Sequence, residues 1–168
     1  MRNTFDRFNG RHQDYQAARP SYAQEFLDWL GELYAPPERY TAADIGSGTG
    51  KLSAQLLAAG FRVCGVEPNP DMRGAAEALL GGDPRFSSSN GTDHDTGLPD
   101  RSVDMVAAAQ AFHWFDGPAF ARECRRILRP GGRAVLVWNV RGSAPVNQAL
   151  AQVFREHCPS FHLSLIHI

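Results

Sequence analysis

The chain carries almost no net charge: 17 basic residues against 18 acidic ones leave −1. A nucleic-acid partner calls for a basic field or stripe across one face. Only Arg122, Arg125, Arg126 and Arg129, on one side of a predicted helix, approach that description. A charge stripe opposite an apolar stripe is the ordinary solvated face of a surface helix, so no nucleic-acid partner is expected. Cysteine is equally scarce. Cys64, Cys124 and Cys158 stand far apart with no paired spacing, which excludes a disulfide framework or a zinc site and suits a reducing compartment. Cys64 falls in a strand pattern and Cys124 on the apolar side of a helix, so both read as small core residues. Long apolar runs are missing too, and residues 1–10 lack the apolar centre of a secretion signal. The expectation is a cytoplasmic chain without a membrane partner and without a bound metal.

What is present fits one globular domain: 168 residues, 43% of them hydrophobic and 21% charged. Residues 1–20 are polar and irregular. Ser21 then reads as an N-cap, and Tyr22, Phe26, Leu30, Leu33 and Tyr34 recur at helical spacing until Pro36-Pro37 stops them. From there short strands alternate with helices. The predicted strands cover 42–45, 62–67, 86–90, 103–109 and 134–138. The helices between them cover 51–59; then a stretch opened by Asn69-Pro70 on Met72, Ala75, Ala76 and Leu79; then one opened by Pro118 on Phe120, Cys124, Ile127 and Leu128 and ended by Pro130-Gly131-Gly132. A last helix carries Val146, Leu150, Val153 and Phe154. Steady alternation of this kind predicts an α/β fold, a parallel sheet with helices on both faces. Ligands of such sheets bind at the carboxyl ends of the strands, near the switch in strand order.

The first strand ends Asp44-Ile45-Gly46-Ser47-Gly48-Thr49-Gly50. Glycine at every second position lets the backbone turn tightly and approach a ligand, and the next helix points its N–H groups at whatever sits there. One glycine in a strand-to-helix turn has a purely structural reading, but the spacing here excludes two rivals. A P-loop needs glycine at 45 and serine or threonine at 52, where Ile45 and Leu52 stand. A dinucleotide fingerprint needs its third glycine where Lys51 stands. The second strand ends in Glu67, 17 residues after Gly50. A carboxylate there can accept hydrogen bonds from both ribose hydroxyls of an adenosine group. An isolated Glu at a strand end would be solvent-facing; paired with this turn, it reads as a ligand.

The stretch from Asp44 to Trp138 resembles a class I S-adenosylmethionine-dependent methyltransferase of the type-11 family, a group similar to ubiquinone/menaquinone and trans-aconitate methyltransferases. DIGSGTG resembles the family's first motif, GVEPNPDM its second, LPDRSVDMV that of the fourth strand and LRPGG the turn before strand five. DYQAARPSY resembles the lead-in of a close subgroup, whose members often carry the phrase AFHWFD found at 111–116. The resemblance implies a Rossmann-like sheet of order 3-2-1-4-5, with S-adenosyl-L-methionine as cofactor and a small molecule as methyl acceptor. It implies three segments: 1–40 a lead-in with one helix, 41–162 the methyltransferase domain with its core at 42–138, and 163–168 outside the fold.

Carried over residue by residue, Asp44 would steady the glycine turn and help hold the methionine amino group. Gly46, Ser47, Gly48, Thr49 and Gly50 would bring the backbone to the methionine and ribose. Glu67, followed by Pro68, would hold the ribose, and Met72 would lie against adenine, although Met72 equally fits a core position on its helix. Gln110 would sit at the methionine end. Tyr15 and Arg19 would close over the cofactor, with Arg19 available to its carboxylate. After strand three the family often reads Gly-(Asp or Thr)-Ala-Glu, whereas this chain reads Gly91-Thr92-Asp93-His94. The backbone N–H of Asp93 could still serve adenine, with His94 in place of the glutamate. His113 and Trp114 fall at the reactive edge. His113 reads either as a general base for an oxygen acceptor or as a structural residue beneath a loop, and Trp114 as a wall.

Residues 134–138 are apolar on both faces, the pattern of an interior strand with neighbours on both sides. In the family two further strands follow, and they are expected to be missing here. Residues 163–168, Leu-Ser-Leu-Ile-His-Ile, match the translation of CTGTCTCTTATACACATC, a transposase mosaic-end adaptor, and are expected to be a scar of assembly.

Overall fold

A computed structural model describes residues 21–138; the predicted helix around Val146–Phe154 and the 163–168 segment lie outside them. Five strands, β1 (Thr41–Ile45), β2 (Arg62–Val66), β3 (Phe86–Ser89), β4 (Val103–Ala109) and β5 (Leu128–Val137), form one sheet in the order β3-β2-β1-β4-β5. All neighbours pair in parallel. The sequence places the order reversal between β1 and β4, where the crevice of a doubly wound sheet opens. Helix α1 (Gln24–Leu33) precedes the sheet, and α2 (Lys51–Ala58), α3 (Pro70–Leu80) and α4 (Gly117–Ile127) connect β1 to β2, β2 to β3 and β4 to β5.

The period of two along each strand sorts the core into two layers. Ala42, Val63, Met105 and Ala107 point to one face and pack with Phe26, Leu30, Leu52, Leu56 and Phe61 around α1 and α2. Ala43, Ile45, Cys64, Val66, Val106 and Ala108 point to the other and pack with Phe120, Cys124 and Ile127 of α4. Helices therefore cover both faces, as the alternation of elements predicts.

Four local expectations change. Ser21 is not a cap: Ala23 occupies that position, and the Tyr22 backbone bonds both ways to the Gln55 side chain (3.1 and 3.0 Å). On α3 the inward row is Met72, Ala76 and Leu80, one residue in four; Leu79 falls on the outer side and is 54% exposed. Leu128 leaves the α4 face and begins β5, opposite Val103. Pro130, Gly131 and Gly132 then form an irregularity within β5, so that the next paired residue is Arg133, opposite Met105. Among the described residues β5 pairs with β4 alone. No helix among them is long and apolar enough to cross a membrane.

Candidate active site

At the carboxyl end of β1 the chain turns through Gly46, Gly48 and Gly50, with φ of +71°, +57° and +82°. Side-chain-bearing residues are strained in this region, and the three glycines differ in what surrounds them. A Cβ on Gly46 would lie 2.7 Å from the Ala111 Cβ, so this glycine lets the turn touch the loop after β4. A Cβ on Gly50 would lie 2.9 Å from Leu80, so this one seats α2 against α3. At Gly48 nothing lies within 4 Å. Its missing side chain opens onto a cleft.

The turn is fastened to the end of β2. The N–H groups of Gly46 and Ser47 both donate to the Val66 carbonyl (2.9 and 3.2 Å). The Glu67 carboxylate, which follows directly, accepts the Gly48 N–H on Oε2 and the Asn69 N–H on Oε1, each at 2.9 Å. Asn69 in turn caps α3, its side-chain oxygen accepting from Asp71 and Met72 (3.0 Å each). Burial pushes the Glu67 carboxyl up, against these two backbone bonds and the nearby Arg73 charge. Each Glu67 oxygen keeps a lone pair for a further donor.

The cleft, about 790 Å³ including its open mouth, is lined by Gly46, Gly48, Glu67, Pro68, Met72, Thr92, Asp93 and Gln110 from the expected set. Met72 is both core and lining at 3% exposure, so its two readings hold together. Gln110 adopts a left-handed φ of +54° directly after β4, a strained geometry for a residue with a side chain.

Five of the described residues expected to bind the cofactor do not line the cleft. Asp44 is buried beneath the turn, where its Oδ2 accepts the Ser53 hydroxyl (2.7 Å) and its Oδ1 has no hydrogen-bond partner. Burial, opposed by Ser53 and reinforced by the Glu67 charge, pushes its carboxyl up to about 6. Thr49 and Gly50 are buried behind the turn, and Ser47 is half-buried. His94 is exposed, its Nδ1 3.1 Å from the Asp93 carboxylate. Tyr15 and Arg19 lie outside the described residues.

Trp114 is a wall, 48% exposed and lining the cleft. His113 is exposed beside it, ring centroids 4.9 Å apart, and does not line the cleft. Asn69, Ala109, Ala111 and Phe115 line it as well and were not anticipated. The signal for Asn69 was available: an N-cap two residues after a strand-end carboxylate faces the same space as that carboxylate.

Known proteins resemble this chain in sequence and fold. The methyltransferase domain family matches residues 43–136. An uncharacterised methyltransferase of Mycobacterium tuberculosis is 42% identical over 127 residues, 76% of this chain and 49% of the relative. One of Schizosaccharomyces pombe is 32% identical over 132 residues, 78% of this chain and 51% of the relative. A solved structure provisionally named a type II methyltransferase, from Anaeromyxobacter dehalogenans, superposes with a TM-score of 0.63 at 36% identity, covering 82% of this chain and 57% of that one. A SAM-dependent methyltransferase from Aquifex aeolicus shares the fold at 18% identity and a TM-score of 0.67, covering 79% of this chain and 78% of that one. The chain spans about half the length of the curated relatives it matches. With the family model matching more than half of the chain and the sheet in the order 3-2-1-4-5, the chain belongs to the methyltransferase domain family, in the Rossmann-like class I fold.

Proposed function

We propose that this cleft binds S-adenosyl-L-methionine and that the protein transfers its methyl group to a small-molecule acceptor by in-line displacement. The observation that carries the reading is Glu67, held by two backbone N–H groups at the head of the sheet beside the open side of Gly48. A carboxylate so fixed offers its remaining lone pairs to a pair of vicinal ribose hydroxyls, while Met72 supplies an apolar surface for adenine. The charged residues among the described lining are Glu67 and Asp93, both acidic. They suit a sulfonium cation and oppose the pyrophosphate of a nicotinamide dinucleotide. Asp44, with one oxygen unpartnered beneath the turn, is an acceptor for the methionine amino group, and Arg19 the partner for its carboxylate. The adenine edge would meet Thr92 and Asp93.

The cofactor supplies an already activated methyl group. The task left to the protein is alignment: the glycine turn and Gln110 fix the position of the donor, and Trp114 and Phe115 screen it from water. Cys64 and Cys124, buried and in no disulfide among the described residues, fit a cytoplasmic setting.

Titration calorimetry separates this reading from its rivals. S-adenosylmethionine should bind the chain at micromolar concentration, and NAD should give no heat; the reverse result would assign a nicotinamide-dependent oxidoreductase. Turnover is a separate readout. Binding without turnover by this chain, alongside turnover by a protein of the relatives' full length, would mark the chain as a cofactor-binding part of the enzyme. His113 takes a catalytic role only if its removal matters: as a general base it would be worth roughly 100-fold in turnover. An unchanged rate in His113→Ala makes it a partner of Trp114 and nothing more.

A further inference from the structure

The paired ladder between β2 and β3 ends where the Glu67 N–H donates to the Ser89 carbonyl (3.1 Å). Beyond that point the two chains part, one towards Glu67, Pro68 and Asn69, the other towards Thr92 and Asp93, and both line the cleft. One side chain spans the gap. The Arg73 Nη1 donates to the Glu67 carbonyl at 2.8 Å and to the Asn90 Oδ1 at 3.0 Å, with the Pro68 carbonyl at 3.4 Å. Its Nε stands 3.8 Å from Glu77 on the outer side of α3.

Each contact has a consequence for the cleft. Glu67 is gripped twice, its carboxylate by Gly48 and Asn69 and its carbonyl by Arg73, so both ends of the residue are fixed. Asn90 leads into Gly91, which has no room for a Cβ: one built there would lie 2.5 Å from the Thr96 carbonyl oxygen. A chain this tightly seated passes a displacement at Asn90 on to Thr92 and Asp93 rather than absorbing it. Arg73 also stands in the first turn of α3, one residue after Met72 and bonded through its own N–H to the Asn69 carbonyl (2.9 Å). The capping residue, the apolar surface and the brace thus move as one unit.

We infer that Arg73 is a positioning residue: it sets the separation of the two strand ends and so the width of the slot that takes the adenosine half of the cofactor. It touches no reacting atom and acts through Glu67 and Asn90. The inference rests on the proposed cofactor site. It predicts a loss confined to adenosine recognition, the same for every ligand that carries adenosine whatever is attached to its sulfur.

Calorimetry on the whole chain with S-adenosylmethionine, S-adenosylhomocysteine and methylthioadenosine tests it. Arg73→Ala should weaken all three roughly 10-fold and by a common factor, the worth of a charge-assisted hydrogen bond to buried backbone. Asn90→Ala, at an exposed side chain, should weaken them two- to threefold and add nothing on top of Arg73→Ala, because the two share one bond. Arg73→Lys, which keeps a donor, should recover part of the loss. If Arg73→Ala fails to fold, Asn90→Ala and Arg73→Lys carry the same comparison. A lowered melting temperature with unchanged affinities would make Arg73 a support of α3 and overturn the inference. Affinity lost for S-adenosylmethionine alone would overturn it too. A wild-type chain that binds none of the three ligands would sink the cofactor reading and this inference together.

Discussion

Asp44→Asn should make the chain more stable at pH 8 while weakening S-adenosylmethionine binding by about 100-fold, the cost of removing a charged partner from a buried amino group. Asp44 is 1% exposed, and one of its oxygens has no partner. Desolvation raises its carboxyl from 3.8 to about 6, and the Ser53 bonds recover only part of that cost. A carboxyl that holds its proton more tightly in the folded state than in the unfolded chain favours folding at low pH. That advantage is complete below about 4 and disappears as the pH rises through 6. The difference corresponds to about 3 kcal/mol of stability given up in reaching neutral pH.

The amide variant escapes ionisation but sets an N–H₂ where an acceptor is absent, a penalty of roughly 1–2 kcal/mol. The net gain at pH 8 is therefore about 1–2 kcal/mol, falling to nothing or a small loss at pH 4.5. Urea denaturation at the two pH values measures it. If the variant is less stable than wild type at pH 8, the charge at position 44 is compensated within the ligand-free fold, and its role towards a cationic ligand has no support. A residue that weakens the empty protein is retained for what it does when the site is filled.

The same contrast explains which parts of the site could be read from the sequence. Both helix-covered faces and the glycine turn follow from period, spacing and punctuation, all of which are local; the strand order was implied by the family resemblance alone. Gly46, Gly48 and Glu67 were found because they sit at strand ends, where a parallel sheet gathers its ligands; Gln110 came from the family resemblance. The sequence could not show that Gly46 and Gly50 leave no room for a side chain while Gly48, of the three, has open space at its Cβ position, because that depends on Ala111 and Leu80, distant in the chain. Phe115 was missed for a related reason: it lies against Gly46, 69 residues earlier in the chain, a contact that no local pattern shows. Leu79 was misplaced because Leu79 and Leu80 both continue an apolar pattern, and only the seat against Gly50 decides between them. Glu123, among the arginines of α4, was not singled out in the sequence. It is the largest omission.

Glu123→Ala should cost about 3–5 kcal/mol, the largest stability loss expected from any single polar residue described here. The side chain is buried, and Thr96 gives it both its N–H (2.9 Å) and its hydroxyl (2.6 Å). Arg126 adds two further bonds at 2.8 and 2.7 Å and reaches Asp100 with its remaining arm. Burial alone would raise the carboxyl, but these donors outweigh it and hold the group at about 2. Here the folded value lies below the unfolded one of 4.5. The stabilisation is complete above 4.5 and drains away as the pH falls towards 2, about 2–3 kcal/mol once screening of the half-exposed Arg126 is allowed for.

Glu123→Gln keeps an acceptor for Thr96 and loses the charge, so it should cost about 2 kcal/mol at pH 7 and flatten that acid limb. Because Thr96 is the ceiling over Gly91, the loop bearing Thr92 and Asp93 should loosen in both variants, and cofactor affinity should fall with stability. Asp44 and Glu123 thus tilt stability in opposite directions on the two sides of a narrow window. From these two carboxyls alone the wild-type chain is most stable between about pH 4 and 5. Asp44→Asn flattens the limb above that window, and Glu123→Gln the one below it. A double variant whose stability still peaked there would show that other groups set the pH profile.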